Sequence, residues 1–357
     1  MFIEIQTSLA LVVSFLVAST LIPAMNGPAI RIGLIDHPDH RKRHDNPTPL
    51  TGGLGIFAGF IVGLVLVGMP WLPCWSLITG MMILLTMGLV DDFIEIPALA
   101  RLLIQVGVSA LMVYGGGLEI HTIGPVFGAE FGMVGLGPFS GPFTIACVVF
   151  MINAINMADG LDGLAGGIAL IILLMLALAG ALDGAAAGLV SITLLLALAT
   201  LGFLIHNLRL PGRPRATAFL GDTGSMVLGF AIAWLAIAMG THQGADVFPI
   251  TIAWILIIPG MDTLALFFRR LRLGRSPFAA DRTHLHHILR RCRYRVSSVV
   301  HIIHAMVFAT ALFGIVAWQQ AWPQWLMFSL AAALLLGYQV VLANAHRILR
   351  WHRRKAR

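Results

Sequence analysis

Charge is what this sequence lacks most. Of its 357 residues only 23 are Lys or Arg and 16 Asp or Glu, 11% of the chain against about a quarter in soluble proteins. Hydrophobic residues make up 58% and mean hydropathy is +0.90. Too few polar residues remain to cover a soluble domain, which excludes soluble globular, disordered and disulfide-scaffold classes. Cysteine is equally scarce. Cys74, Cys147 and Cys292 fall in different segments with no metal or disulfide spacing, so they read as packing residues. The alternating hydrophobicity of an outer-membrane barrel is missing, as is any fixed-period repeat. The N-terminal stretch has no basic n-region or small-residue cleavage site and reads as a retained first span.

What is present is a series of long apolar runs. At about 20 residues per span, hydropathy predicts an all-α polytopic membrane protein of about eleven helices: 5–25, 51–69, 73–90, 98–116, 142–157, 163–182, 184–205, 223–240, 248–268, 297–318 and 322–343. The whole chain, 1–357, forms one transmembrane domain, with a long loop at 269–296 and a basic tail at 344–357. With these spans all 23 basic residues fall in one set of loops and span ends. The opposite set carries Glu119, Glu130, Asp183 and Asp246. The positive-inside rule makes the basic side cytoplasmic, with the N-terminus outside and the C-terminus inside. The chain is expected to sit in a membrane with its basic face toward the cytoplasm. Basic loops beside anionic membrane lipids account for the net charge of +7 without a nucleic-acid partner. The sequence leaves a homo-oligomer open.

The acids are then informative. Eleven of the sixteen lie on the basic side, several against apolar helix ends where an ionised carboxylate is costly unless paired or bound to metal. GLVDDF places Asp91 and Asp92 at the end of the third span, and Arg101 follows nine residues after Asp92, placed to meet a phosphate or one of these acids. NAINMADGLDGLAGG spaces Asn153, Asn156 and Asp159 three apart, with Asp162 in a glycine-rich turn. Such oxygen donors on flexible backbone suit a hard cation like Mg²⁺. FLGDTGS puts Asp222 and Ser225 where a helix N-cap is expected, and makes Asp222 a candidate metal ligand. In the 269–296 loop, Arg282, His284, His286 and His287 form a donor cluster suited to a pyrophosphate. His301 and His304 read as buried hydrogen-bonding residues, and Asp262 either serves the site or neutralises a base. The pattern implies Mg²⁺-assisted chemistry on a phosphorylated soluble substrate, with an acceptor in the membrane.

Seven stretches in order, GLIDHPDHRKRHDNPTPLTGG, GLVDDF, LGPF, NAINMADGLDGLAGG, FLGDTGS, RRLRLGRSPF and DRTHLHH, carry a resemblance over about residues 31–295. The sequence resembles the polyprenyl-phosphate N-acetylhexosamine-1-phosphate transferases. It is most similar to the bacterial branch that moves N-acetylglucosamine 1-phosphate to undecaprenyl phosphate and starts O-antigen and related glycans. The resemblance implies UDP-N-acetylglucosamine as donor, undecaprenyl phosphate as acceptor and UMP as product. By that likeness Asn156 and Asp222 hold Mg²⁺, with Mn²⁺ as a substitute. Asp91 and Asp92 face the lipid phosphate, with Asp92 the preferred catalytic acid, while Asp159 and Asp162 bind nucleotide or metal. Arg101, Arg282, His284, His286 and His287 contact phosphates or sugar, Asn153 joins the substrate contacts, and Asn207 matches an Asn upstream of FLGD. The chain departs from its relatives at Thr217, where they carry Lys or Arg, and Arg215 is the candidate replacement.

The implied reaction joins two anions, so charge neutralisation dominates catalysis. The acceptor phosphate, with a second pKa near 6, needs little general-base help. This favours direct single displacement, with Asp92 orienting the acceptor or taking its residual proton. An aspartyl-phosphate route is the rival. Another UDP-N-acetylhexosamine is the alternative donor. A remote alternative class is an ion-coupled secondary transporter, whose polar residues should cluster at mid-bilayer instead of at one face.

Overall fold

The computed structural model describes residues 2–36, 47–68, 74–185, 187–242, 244–272, 274 and 283–344. Arg282, most of the 269–296 loop's first half and the tail beyond Asn344 lie outside these. The regular structure of the described residues is helical apart from the two-residue antiparallel pair Ile35–Asp36 and Thr48–Pro49 and two isolated bridges. The helices are α1 (Phe2–Ile32), α2 (Gly52–Val67), α3 (Trp75–Ile94), α4 (Ala98–Ala110), α5 (Ser140–Ala158), α6 (Leu164–Leu182), α7 (Ala187–Asn207), α8 (Gly221–Thr241), α9 (Pro249–Arg272), α10 (Leu285–Arg291), α11 (Val296–Gln319) and α12 (Gln324–Ala343).

Among the described residues, ten helices are long and apolar enough to cross a membrane; α4 reaches that length through a π-helical turn, Leu111–Gly115. The expected second span is α2, a shorter apolar helix of 16 residues. The protein is thus a polytopic all-α membrane protein. Several spans run beyond their expected ends, α3 reaching Ile94 among them. Helix α1 continues to Ile32 and α9 to Arg272, because hydropathy marks hydrocarbon thickness whereas helical hydrogen bonding carries on into polar sequence. The 269–296 segment accordingly contains the end of α9 and all of α10.

Helix α8 is the centre of the bundle. Its residues are buried without a break from Thr223 to Met239, as expected for a helix that is apolar on every side. It packs on α2, α3, α5, α6, α7 and α9. By contrast, large apolar side chains such as Leu16, Leu103, Leu336 and Val340 are exposed on the peripheral helices α1, α4 and α12. Glycines let α8 begin deep between its neighbours. A Cβ on Gly53 would stand 2.5 Å from the Gly224 Cα, and one on Gly88 would stand 2.7 Å from the Thr223 nitrogen. The strand-like segment before α2 ties down the approach to α8, since Phe219 N–H donates to Pro49 C=O (2.8 Å) and Gly52 N–H to Phe219 C=O (3.0 Å). Asn26 on α1 donates to the Thr217 carbonyl (3.1 Å), so Thr217 is fixed between α1 and α7.

Candidate functional site

The end of the bundle formed by the C-termini of α3, α5 and α9 and the N-termini of α4 and α8 gathers most of the residues singled out by sequence. Asp91, at the last turn of α3, is almost wholly buried. It accepts from the Arg101 guanidinium at 2.7 Å and from Ile96 N–H at 2.5 Å. Its carboxyl also meets that of Asp222. Asp222 lies 3.6 Å from Arg101 and accepts from the Asn156 amide at 2.5 Å; the same amide reaches Ser225 at 2.9 Å. Three motifs far apart in sequence therefore share one point. Asp222 is its accessible member, with 38% of its side chain exposed and Arg101 34%, against 2% for Asp91.

Asp92 does something different. One carboxylate oxygen accepts from Asp222 N–H (3.0 Å), the other from the Thr223 hydroxyl (2.6 Å) and Thr223 N–H (3.3 Å). The first helical residues of α8 would otherwise leave these N–H groups without partners. Neither Asp222 nor Ser225 caps this helix, contrary to the expectation from FLGDTGS. Leu220 occupies the cap position without a side-chain bond and Ser225 bonds back to Gly221 C=O. The cap comes from another helix, Asp92 on α3. Gly221 has φ +71, and a side chain there would press on the Asp92 carboxylate. Removing the cap with Asp92→Ala should lower stability by about 1–2 kcal/mol, whereas Asp92→Asn keeps one of the two acceptors and should lose less. Thermal unfolding of the two variants checks this; equal losses would reject the capping role.

The second motif splits. Asn156 joins the carboxylate site, but Asn153 donates to Gln105 on α4 (2.7 Å) and to Val149 C=O (2.8 Å), a buried link between α4 and α5. Asp159 ends α5 as its C-terminal cap. Asp162 takes an ion pair from Arg209 (2.8 Å) and the Ala216 N–H (3.3 Å). Asn207, buried at the end of α7, accepts from Gly163 N–H (2.7 Å) and donates to Ala218 C=O (2.9 Å). Asp162 and Asn207 thus hold the NAINMADGLDG turn against the loop that leads into FLGDTGS. Arg215 is exposed on that loop.

The histidine cluster is half anchored and half open. His284 precedes α10 and its Nδ1 is 2.8 Å from Asp262, which also accepts from Leu285 N–H (3.0 Å) and from the Tyr338 hydroxyl on α12. Asp262 therefore anchors this histidine to α9 and α12. His286 is buried, its ring 4.1 Å from that of His287 and stacked at 5.7 Å on that of His284. Its Nε2 has no hydrogen-bond partner among the described residues and lies over Gly160, where a Cβ would be 2.5 Å away. His304 bonds Leu164 C=O (3.2 Å), as expected, whereas His301 is exposed on the outer face of α11.

Burial first, then the neighbouring His287 and His284, pull the His286 pKa from 6.5 down to about 3, against the opposing pull of Asp262. A depressed pKa means that the unfolded chain binds the proton first. Stability is full above about pH 6.5 and falls as pH drops from there towards 3, at about 1.4 kcal/mol per unit at most. Unfolding temperatures at pH 7.5 and 5.5 should show a loss in the parent that His286→Phe largely removes; an equal loss in both would reject this assignment.

Sequence reasoning missed Gln105, Thr223 and Tyr338. Gln105 stood out as a polar residue four after Arg101 within an apolar run. Thr223 was inside a motif already noted, and Tyr338 is one of only three tyrosines, set in an apolar span.

A bundle-end cluster of paired carboxylates, an amide and an arginine in a helical membrane protein suits a membrane-embedded transferase, and the comparisons show that class. The family model described as Glycosyl transferase family 4 matches residues 74–240. An undecaprenyl-phosphate alpha-N-acetylglucosaminyl 1-phosphate transferase of Escherichia coli O157:H7 is 33% identical over 92% of this chain and 89% of its own. A protein of the same name from Yersinia pestis is 31% identical over 97% of this chain and 94% of its own. The probable undecaprenyl-phosphate N-acetylglucosaminyl 1-phosphate transferase of Bacillus subtilis is 33% identical over 94% and 91%. The chain belongs to this family of undecaprenyl-phosphate N-acetylglucosaminyl 1-phosphate transferases.

Proposed function

We propose that the chain transfers N-acetylglucosamine 1-phosphate from UDP-N-acetylglucosamine to undecaprenyl phosphate, releasing UMP, at the cytoplasmic face of the bacterial inner membrane. This is the first membrane step of O-antigen or related cell-surface glycan synthesis. The observation that carries the reading is the meeting of Asp91, Asp222, Asn156 and Arg101 at one bundle end. The names of the relatives support the acceptor and the sugar. Among the described residues every arginine lies at that same end of the bundle, which by the positive-inside rule is cytoplasmic.

The residues fit a divalent cation. Two carboxyls in contact repel when both are ionised, Arg101 supplies a single positive charge, and the Asn156 amide offers a further hard oxygen donor. Asp222, with Asn156, would hold Mg²⁺, or Mn²⁺ in its place, and Asp91 would adjoin it. When bound, the cation supplies charge neutralisation for the pyrophosphate and the leaving UMP. The protein's own groups do the rest. Arg101 is exposed enough to take an incoming phosphate while it holds Asp91 at 2.7 Å. His284, held by Asp262, would meet a phosphoryl or sugar oxygen of the donor, with the buried His286 ring stacked behind it. Asp92 acts through α8, fixing the start of the helix that carries Asp222. With Asp92 engaged in this way, the acceptor's own phosphate oxygen is the nucleophile and the transfer is a single displacement.

The test incubates the purified protein with Mg²⁺, undecaprenyl phosphate and a panel of UDP-sugars and measures UMP. Release with UDP-N-acetylglucosamine above all others is expected. Release with no UDP-N-acetylhexosamine overturns the assignment, and donor–UMP exchange without acceptor overturns the single displacement.

A further inference from the structure

Helix α12 is buried only toward its two ends. Gln324 and Met327 pack inward at one, Tyr338 and Leu342 at the other. Tyr338 and Leu342 stand four apart, on one face of the helix. Packing alone needs no hydroxyl at such a position, as Leu342 shows. A buried tyrosine hydroxyl needs a partner, and this one donates to Asp262 Oδ1. At the end of the bundle that holds the carboxylates, this bond ties α12 to α9.

Asp262 passes the contact on. The oxygen that takes the tyrosine hydrogen also accepts from Leu285 N–H (3.0 Å), at the start of α10, and Oδ2 lies 2.8 Å from His284 Nδ1. Facing a carboxylate, that ring nitrogen is the donor. The His284 ring stacks on His286, whose ring lies 4.1 Å from that of His287. The His286 Nε2 in turn lies over Gly160, four residues after the Asn156 that bonds Asp222. One path of contacts thus runs from the α12 hydroxyl to the turn beside the carboxylate site. Helix α10 has only seven residues, too few to hold its place by its own hydrogen bonds. Whatever fixes His284 and Leu285 therefore fixes the two histidines that follow.

We propose that Tyr338 is a positioning residue for the nucleotide-sugar donor, acting through Asp262 on His284, His286 and His287. The inference rests on the donor role given to this histidine group under the proposed function. Three donors, from α12, from the start of α10 and from the His284 ring, share the two oxygens of Asp262, so the set of the carboxylate decides where each donor stands. Without the hydroxyl, the carboxylate is held from the α10 side alone. His284 then loses its fixed distance from α12 and, through the stacked rings, from Gly160. No bond on this path involves Arg101 or Asp91, so loss of the hydroxyl weakens the donor and spares the lipid acceptor.

Tyr338→Phe keeps the ring and removes the hydroxyl. Titration of the purified full chain with UDP-N-acetylglucosamine and Mg²⁺, without acceptor, should show binding about fivefold to tenfold weaker than in the parent, part of the worth of one hydrogen bond to a charged group. Turnover should show the same rise in KM for the donor and an unchanged KM for undecaprenyl phosphate. Asp262→Asn should also weaken donor binding, and adding Tyr338→Phe to it should change nothing further. Leu342→Ala, one turn along, loosens α12 while leaving the hydroxyl in place. It should lower the unfolding temperature and keep the parent's donor affinity. Parent-like donor binding in Tyr338→Phe, an equal rise in both KM values, an equal donor loss in Leu342→Ala, or additive losses in the double variant would each overturn the proposal. A parent that binds no UDP-N-acetylglucosamine would overturn the donor assignment itself, and the proposal with it.

Discussion

Replacing Asp222 with Asn is expected to lower UMP release about a thousandfold while the protein folds as before. Asp222 is the one carboxylate of its cluster with substantial exposure, so it is the group that an incoming cation–pyrophosphate would meet. Asn has the same shape and keeps an oxygen toward Asn156, but it removes the second negative charge of the pair. Folding does not need that charge. Asp91 keeps its 2.7 Å bond to Arg101, and α8 keeps the cap from Asp92, which binds the backbone of residue 222 and not its side chain. Loss of one of two touching carboxyls also relieves repulsion. Thermal unfolding should therefore be unchanged or slightly raised. Turnover within tenfold of the parent would remove Asp222 from the reaction centre, and a large fall in unfolding temperature would make its role structural.

Gly88→Ala should be almost as damaging, by an entirely steric route. The added methyl points at backbone, and the Thr223 Cα and nitrogen cannot rotate aside as a side chain would. Either α3 or the first turn of α8 must move. A shift of about 1 Å there would stretch the Asp92 bonds to Asp222 and Thr223 and part Asp222 from Asn156, enough to cost on the order of a hundredfold in rate and about 1–3 kcal/mol in stability. Gly107, where a Cβ meets nothing within 4 Å, is the matched control in the neighbouring helix. If Gly88→Ala turned over at the rate of Gly107→Ala, the close approach of α3 and α8 would have no catalytic importance.

How much of this was legible in the sequence follows from the range of the interactions. The apolar runs and the gathering of acids beside bases are local properties, so the bundle, its helices and the end where the acids and arginines gather could be read directly. So could Asn156 and Asp222, whose residue types suit one hard-cation site even though 66 positions separate them. The division of labour between Asp91 and Asp92 could not. Adjacent acids on a helix look alike until a partner is placed beside each, and the partners are 10 residues away for Asp91 and 130 for Asp92. Asn153 shows the same limit. It shares the three-residue spacing of Asn156 and Asp159, yet its contact is with Gln105, because α4 packs on that side of α5. Asp262 was ambiguous until Tyr338 and His284 converged on it from 76 and 22 residues away.

The burial of α8 has a mechanical consequence. Changes in bilayer thickness or lateral pressure act first on helices that present apolar side chains outward, such as α1, α4 and α12. Asp222 rides on the tip of a rod that neighbouring helices shield from lipid along nearly its whole length. Such a support should decouple Asp222 from the elastic state of the membrane, so that acyl-chain length alters how readily the acceptor is presented more than where Asp222 stands.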